Sequence, residues 1–183
     1  MKLIEDVRSS EREVADFFGA LSPAEIALRE GSAWTPAEHL DHINKAVSAV
    51  ARGIGTSRLL LLLRFGWGRR PSRTFDEVRD DYLSRLAAGG VARGGFVPTI
   101  RDLDAAEASE RQKELLARWQ RVNGRLCTAL QKWSARDLDR IRLPHPLLGK
   151  ITTREMVYFT IYHNHHHVAG AKGRLPRFAG TQH

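Results

Sequence analysis

Eight histidines occur in this chain, and four of them fall within the five positions from His163 to His167. A neutral imidazole offers a lone pair to zinc, nickel or iron, so such a cluster is read first for metal chemistry. His163 and His167 are four residues apart, which on a helix puts both rings on one face, about one turn from each other. Such a pair can share one ion. A third donor must come from elsewhere, and His42 stands about six residues, or roughly 9 Å, into an earlier helix. The pair lies a similar distance before the end of its own helix. If the two helices are antiparallel, His42, His163 and His167 meet at one level with an open fourth position, the donor set of a catalytic zinc site. Spacing alone leaves a plainer alternative open: His42 as a hydrogen-bonded core residue, and the later run as a solvated tract that picks up metal adventitiously.

Other candidates stand below these three. His39, one turn before His42, reads as an exposed residue of a helix start, with a supporting place beside the ligands as the alternative. His165 points away from the pair, whereas His166 is adjacent in angle to His163 and is a substitute ligand. His145, next to Pro146, reads as a loop residue with a packing role. Tyr158 and Tyr162 read as buried aromatics, or alternatively as phenols that orient a substrate. Cys127 is the only cysteine; it lies beside an apolar stripe and reads as a small buried hydrophobe. No intrachain disulfide and no thiolate-rich zinc site can therefore form. No catalytic acid or base stands out, and Gly-x-Ser-x-Gly, His-Glu-x-x-His and phosphate-loop patterns are absent.

The elements that must position these groups are helices. Ile4, Val7, Val14, Phe17 and Phe18 predict an amphipathic helix near 4–19. Capping boxes then recur. Ser22, Pro23 and Glu25 open a short helix near 23–29; Thr35, Pro36 and Glu38 open one over 36–52; Thr74 and Glu77 open an embedded helix near 75–88; Thr152 and Glu155 open the last, over 152–171. Leu115, Trp119, Val122, Leu126, Leu130 and Trp133, spaced three or four apart, mark the longest helix, near 104–133. No run alternates as a half-buried strand does. The expected fold is all-α, a four-helix bundle spanning 1–183 as a single domain. A connection of about fifty residues joins the second and third long helices, which makes those two parallel neighbours.

Charge and hydropathy bound the partners. The net charge of +8 suits a polyanion, but the arginines are spread through every segment among Asp and Glu, which argues against nucleic acid. The longest apolar run, Leu59 to Leu63, is far short of the roughly 20 residues of a membrane span. Acidic residues occupy the N-terminal stretch where a secretory signal needs apolar ones, so a cytoplasmic location is expected. Leu59 to Arg70 joins that leucine run to Arg64, Phe65, Trp67, Arg69 and Arg70, and reads as a lid or dimer-facing crossover whose leucines pack on the bundle, with docking on a membrane surface, an acidic ligand or a partner subunit as the alternative.

Two stretches resemble the DinB-like superfamily. In Ser-Ala-Trp-Thr-Pro-Ala-Glu-His-Leu-Asp-His-Ile, residues 32–43, a tryptophan precedes a capped helix start and a histidine follows eight residues after it; His42 takes the metal-ligand position. In residues 145–167 a glycine before the last helix is followed by His163 and His167 at the family's second and third ligand positions. The chain departs from many relatives after the final ligand, with Val168, Ala169, Gly170 and Ala171 where they carry Gly and Gln. The resemblance implies a metal-dependent enzyme acting on a small molecule, either a hydrolase or a transferase that adds a low-molecular-weight thiol to an electrophile. It also implies a divalent metal, zinc or nickel ahead of iron or manganese, and no separate organic cofactor. The alternative is a nucleic-acid-binding or stress-associated helical module without catalysis.

Overall fold

Capping chemistry sets where the helices begin. Ser22, Thr35, Thr74, Asp104 and Thr152 each accept a hydrogen bond from the backbone of the glutamate three residues on, whose carboxylate returns to the cap backbone. Each such pair satisfies donors that a helix start leaves orphaned, an effect of about 1 kcal/mol. A computed structural model describes residues 2–100 and 102–176; the C-terminal His183 lies outside them. The elements are α1 (Lys2–Gly19), α2 (Pro23–Ile26), α3 (Pro36–Gly55), α4 (Arg58–Phe65), α5 (Phe75–Ala87), α6 (Ala105–Leu130), α7 (Ala135–Arg140), β1 (Arg142–His145), β2 (Gly149–Thr152) and α8 (Thr153–Lys172).

The long helices α1, α3, α6 and α8 form the bundle. Asn44 on α3 donates to the Leu115 carbonyl at 3.1 Å, and the Trp133 indole donates to the Ile54 carbonyl at 3.0 Å. These paired contacts advance together, so α3 and α6 run parallel, as their crossover requires. Gln112 reaches the Phe18 carbonyl and Trp119 reaches that of Glu11, which sets α1 antiparallel to α6. On the other side of α1, Asn164 meets Ser10 and Lys172 lies over Phe17, so α8 runs with α1 and against α3. Between the four helices Phe18, Leu40, Ile43, Trp119 and Leu126 are fully buried. Burial of side chains this size stabilises the fold by about 1.5–3 kcal/mol each before the entropy of ordering is counted.

Several elements differ from the sequence-based expectation. The stretch 134–148, between the helices expected near 104–133 and over 152–171, holds α7 and the first strand of an antiparallel hairpin in which Leu143 pairs with Ile151 and His145 with Gly149. Strands of four residues are too short for alternation to show, and Gly149 turns the chain at φ +71°. The crossover contains α4 as well as the expected embedded helix; α4 meets α3 at 101° and lacks a side-chain cap, so it carries no start signal. The short helix ends at Ile26 rather than 29, and α6 ends at Leu130 rather than 133.

Polar clamps hold α7 and the crossover to the start of α8. Glu155 accepts from the Arg73 backbone at 2.8 Å and its Nε at 3.1 Å, while Arg154 forks onto Asp139 at 2.6 and 3.1 Å. Charge-assisted, partly buried bonds of this kind are stronger than neutral ones. They fix the root of the helix that carries the histidine cluster. Among the described residues no single helix is long and apolar enough to cross a membrane.

Candidate metal centre

The antiparallel pairing of α3 and α8 brings His42, His163 and His167 together. Each offers a ring nitrogen, and these three atoms lie within 4.8 Å of one another. The Nε2 atom of His163 is 3.0 Å from Nε2 of His42 and 3.1 Å from Nε2 of His167. All three residues are buried. Burial, reinforced by the neighbouring imidazoles, lowers the pKa of His163 and His167 well below the ordinary value, and burial lowers that of His42 despite its bond to the Phe96 carbonyl. The rings are therefore neutral at physiological pH, the state that binds metal.

Proton counting shows what such a cluster suits. A neutral imidazole has one N–H and one lone pair. His42 places Nδ1 2.7 Å from the Phe96 carbonyl, which can only accept, so its hydrogen is on Nδ1 and its Nε2 carries a lone pair. If His163 Nε2 bears a hydrogen, that hydrogen serves one neighbour and the other contact is left unsatisfied. If it bears a lone pair, it faces the lone pair of His42. No placement of protons satisfies both contacts fully, whereas one cation accepts all three lone pairs. A tetrahedral ion with bonds of about 2.0–2.1 Å sets its ligand atoms about 3.3 Å apart, close to the two separations from His163. The three residues fit a divalent ion.

Surrounding groups hold the rings in place. On one face of α3, Asp41, His42 and Lys45 all grip the crossover: Asp41 accepts from the Thr99 backbone at 3.2 Å, and Lys45 donates to the Val97 carbonyl at 2.8 Å. That grip presents the Phe96 carbonyl to His42. Trp34 stacks on His167 at 5.9 Å and 16°, and lies 5.1 Å from the His42 ring. Only the folded crossover brings Phe96 here, and no feature of its sequence marks it.

His39 corrects the expectation of an exposed helix-start residue. Its Nδ1 lies 2.9 Å from Nδ1 of His167, and burial lowers its pKa to about 4. The ring fits because residue 170 is glycine; a Cβ there would stand 3.0 Å from His39 Cε1. His39 thus occupies the supporting place beside the candidate ligands that its one-turn spacing from His42 allowed.

His165 turns away from the group, with Nε2 3.3 Å from a Glu13 carboxylate but without hydrogen-bond alignment. His166 lies beside His167, ring centroids 5.4 Å apart, and is outside the group of three. Tyr158 and Tyr162 pack edge-on against Phe75. Cys127 is buried away from the site, and burial pushes its thiol pKa up, as suits a small hydrophobe.

A cavity of about 630 Å³ opens beside the three histidines, walled by Ala46, Val50, Leu86, Leu143, Met156 and Phe159. Among the described residues no Asp or Glu lines it. Two lining residues that sequence reasoning did not assign to the site are Tyr82, on the buried face of α5, and His145, at the end of β1. Burial pushes the Tyr82 phenol up to about 12, so it stays protonated. The one available signal for Tyr82 was its spacing of four from Val78, which marks the inner face of the embedded helix.

A parallel α3–α6 pair, a crossover folded over His42 and three histidines drawn from α3 and α8 define a helical bundle of the DinB type. The DinB superfamily model matches residues 7–170, and the chain belongs to that superfamily. No curated protein and no solved structure matches it.

Proposed function

We propose that this protein is a metal-dependent transferase that joins a small thiol to an apolar electrophile, with His42, His163 and His167 holding the divalent ion. The observation that carries this reading is a neutral three-imidazole cluster set into the wall of an apolar cavity. A divalent ion held there supplies the nucleophile by lowering the pKa of a thiol or water. Zinc and nickel suit an all-imidazole donor set better than metals that prefer carboxylates.

The residues of the chain favour thiol over water. Activation of water profits from a general base within about 3 Å, and the described cavity wall has no carboxylate, only hydrocarbon, Arg93, Tyr82 and imidazoles. A thiol, with an ordinary pKa near 8.5, is far closer to ionisation at neutral pH. The apolar walls bind the electrophile by burial and exclude competing water. His39 and the Phe96 carbonyl orient His167 and His42.

Elemental analysis of untagged protein beside His42→Ala tests the metal. Zinc-loaded protein is then mixed with N-acetylcysteine and a fluorogenic alkyl chloride. In this reaction an S–C bond forms, the C–Cl bond breaks, and chloride and the thiol proton go to solvent. Metal-dependent product formation supports the reading. Ester hydrolysis without use of thiol places the chain among hydrolases instead, and an absence of bound metal removes both.

A further inference from the structure

His145 has a hydrogen-bonding arrangement that packing does not require. Its Nδ1 accepts from two backbone groups of the hairpin turn, Leu147 N–H at 3.2 Å and Leu148 N–H at 3.0 Å. A nitrogen that accepts twice carries no hydrogen, so the ring N–H is on Nε2. Burial lowers the pKa of this imidazole to about 4, which keeps it neutral under ordinary conditions. Residue 145 lines the apolar cavity, and among the described residues Nε2 has no hydrogen-bond partner. That N–H is open to solvent, so it can exchange water for something that binds in the cavity and accepts from it.

Its place in the cavity says what that something is. Phe159 packs against both His145 and His163, with ring centroids 4.1 Å from the first and 4.9 Å from the second. His145 and the metal-ligand candidate His163 therefore line the same cavity with one aromatic ring packed against both. The geometry points to a recognition subsite in which the His145 Nε2–H donates to a neutral acceptor oxygen, a ketone or amide carbonyl, on a ring-sized apolar substrate. Assigning that oxygen to the end of the substrate remote from the reacting atom rests on the proposed function; the subsite itself needs no ion. The hairpin turn pre-orients the donor, so little entropy is lost when the acceptor binds.

Acetophenone and α-methylstyrene test this, because they share a shape and only the ketone carries the acceptor. Ligand-observed NMR on the full chain, treated with chelator and again after adding zinc, measures both affinities. The ketone is expected to bind about three- to tenfold tighter, the effect of one neutral hydrogen bond. His145→Asn keeps the turn, since Asn Oδ1 replaces Nδ1 as acceptor, but lacks the distal donor. In that variant the ratio is expected to fall to about one. Equal binding of the two probes to the wild type, no binding of either, or a ratio unchanged in His145→Asn overturns the subsite. A preserved ratio in protein that takes up no zinc upholds the subsite while removing the enzymatic reading.

Discussion

The Nδ1 atoms of His39 and His167 face each other at 2.9 Å across the α3–α8 contact. If His167 Nε2 gives its lone pair to a metal ion, its Nδ1 carries the hydrogen and His39 accepts it. That bond fixes the tautomer and the ring plane of His167. His39→Ala is expected to lower zinc affinity about ten- to a hundredfold although no ligand is lost. Gly170→Ala, whose new methyl would press on the His39 ring at 3.0 Å, is expected to act in the same direction more weakly. Competition against a colorimetric chelator measures both; unchanged affinity in the two variants contradicts the orienting role.

Removing a ligand should cost more than removing its support. His42→Ala, His163→Ala and His167→Ala are each expected to weaken zinc binding by at least about a hundredfold. His165→Ala should leave it nearly unchanged, because that ring faces Glu13. The fold should survive all four changes, since its core consists of the apolar faces. Zinc titration with a circular dichroism check separates the two effects. Loss of binding in His165→Ala but not in His42→Ala would mean that the run acts as an adventitious tract.

Stability of the metal-free protein should fall with acid. His145 has its folded pKa lowered to about 4, against about 6.5 when unfolded. Between those values the unfolded chain takes up a proton that the folded chain refuses. Its contribution is therefore complete above about pH 6.5 and is lost as pH falls toward about 4. Thermal melts in chelator should show Tm level above pH 7 and decreasing from about 6.5 to 4, with a shallower decrease in His145→Asn. A melting temperature that rises on acidification contradicts the direction.

Leu59, Leu60 and Leu63 are 66%, 54% and 78% exposed on α4, with Trp67 close by at 41%. A contiguous apolar face of this kind is what a second copy of the chain would cover. Sedimentation at high micromolar concentration is expected to give a homodimer, and Leu63→Glu to give a monomer. A wild-type monomer under those conditions removes the assignment.

The long helices were legible because their signals are local. A capping box needs four consecutive residues, and a buried stripe needs only a repeat of three or four; thus Thr35 with Glu38, Thr152 with Glu155, and the run from Leu115 to Leu130 could be read directly. The one-turn spacing of His163 and His167 was equally local. That His42 meets them followed from an antiparallel pairing that the sequence could only suppose, and the tertiary contact supplies it at 3.0 Å. His39, Phe96 and Tyr82 owe their places to long-range packing: a glycine on α8 admits one ring, a folded crossover delivers a carbonyl, and α5 docks on α8. Residues 142 to 152 went unread as a hairpin because strands of four residues carry too few alternations. Sequence by itself determined which residues could ligate and which helices would carry them. Tertiary structure decided which of eight histidines converge, because convergence depends on helix direction and close approach between segments more than a hundred residues apart.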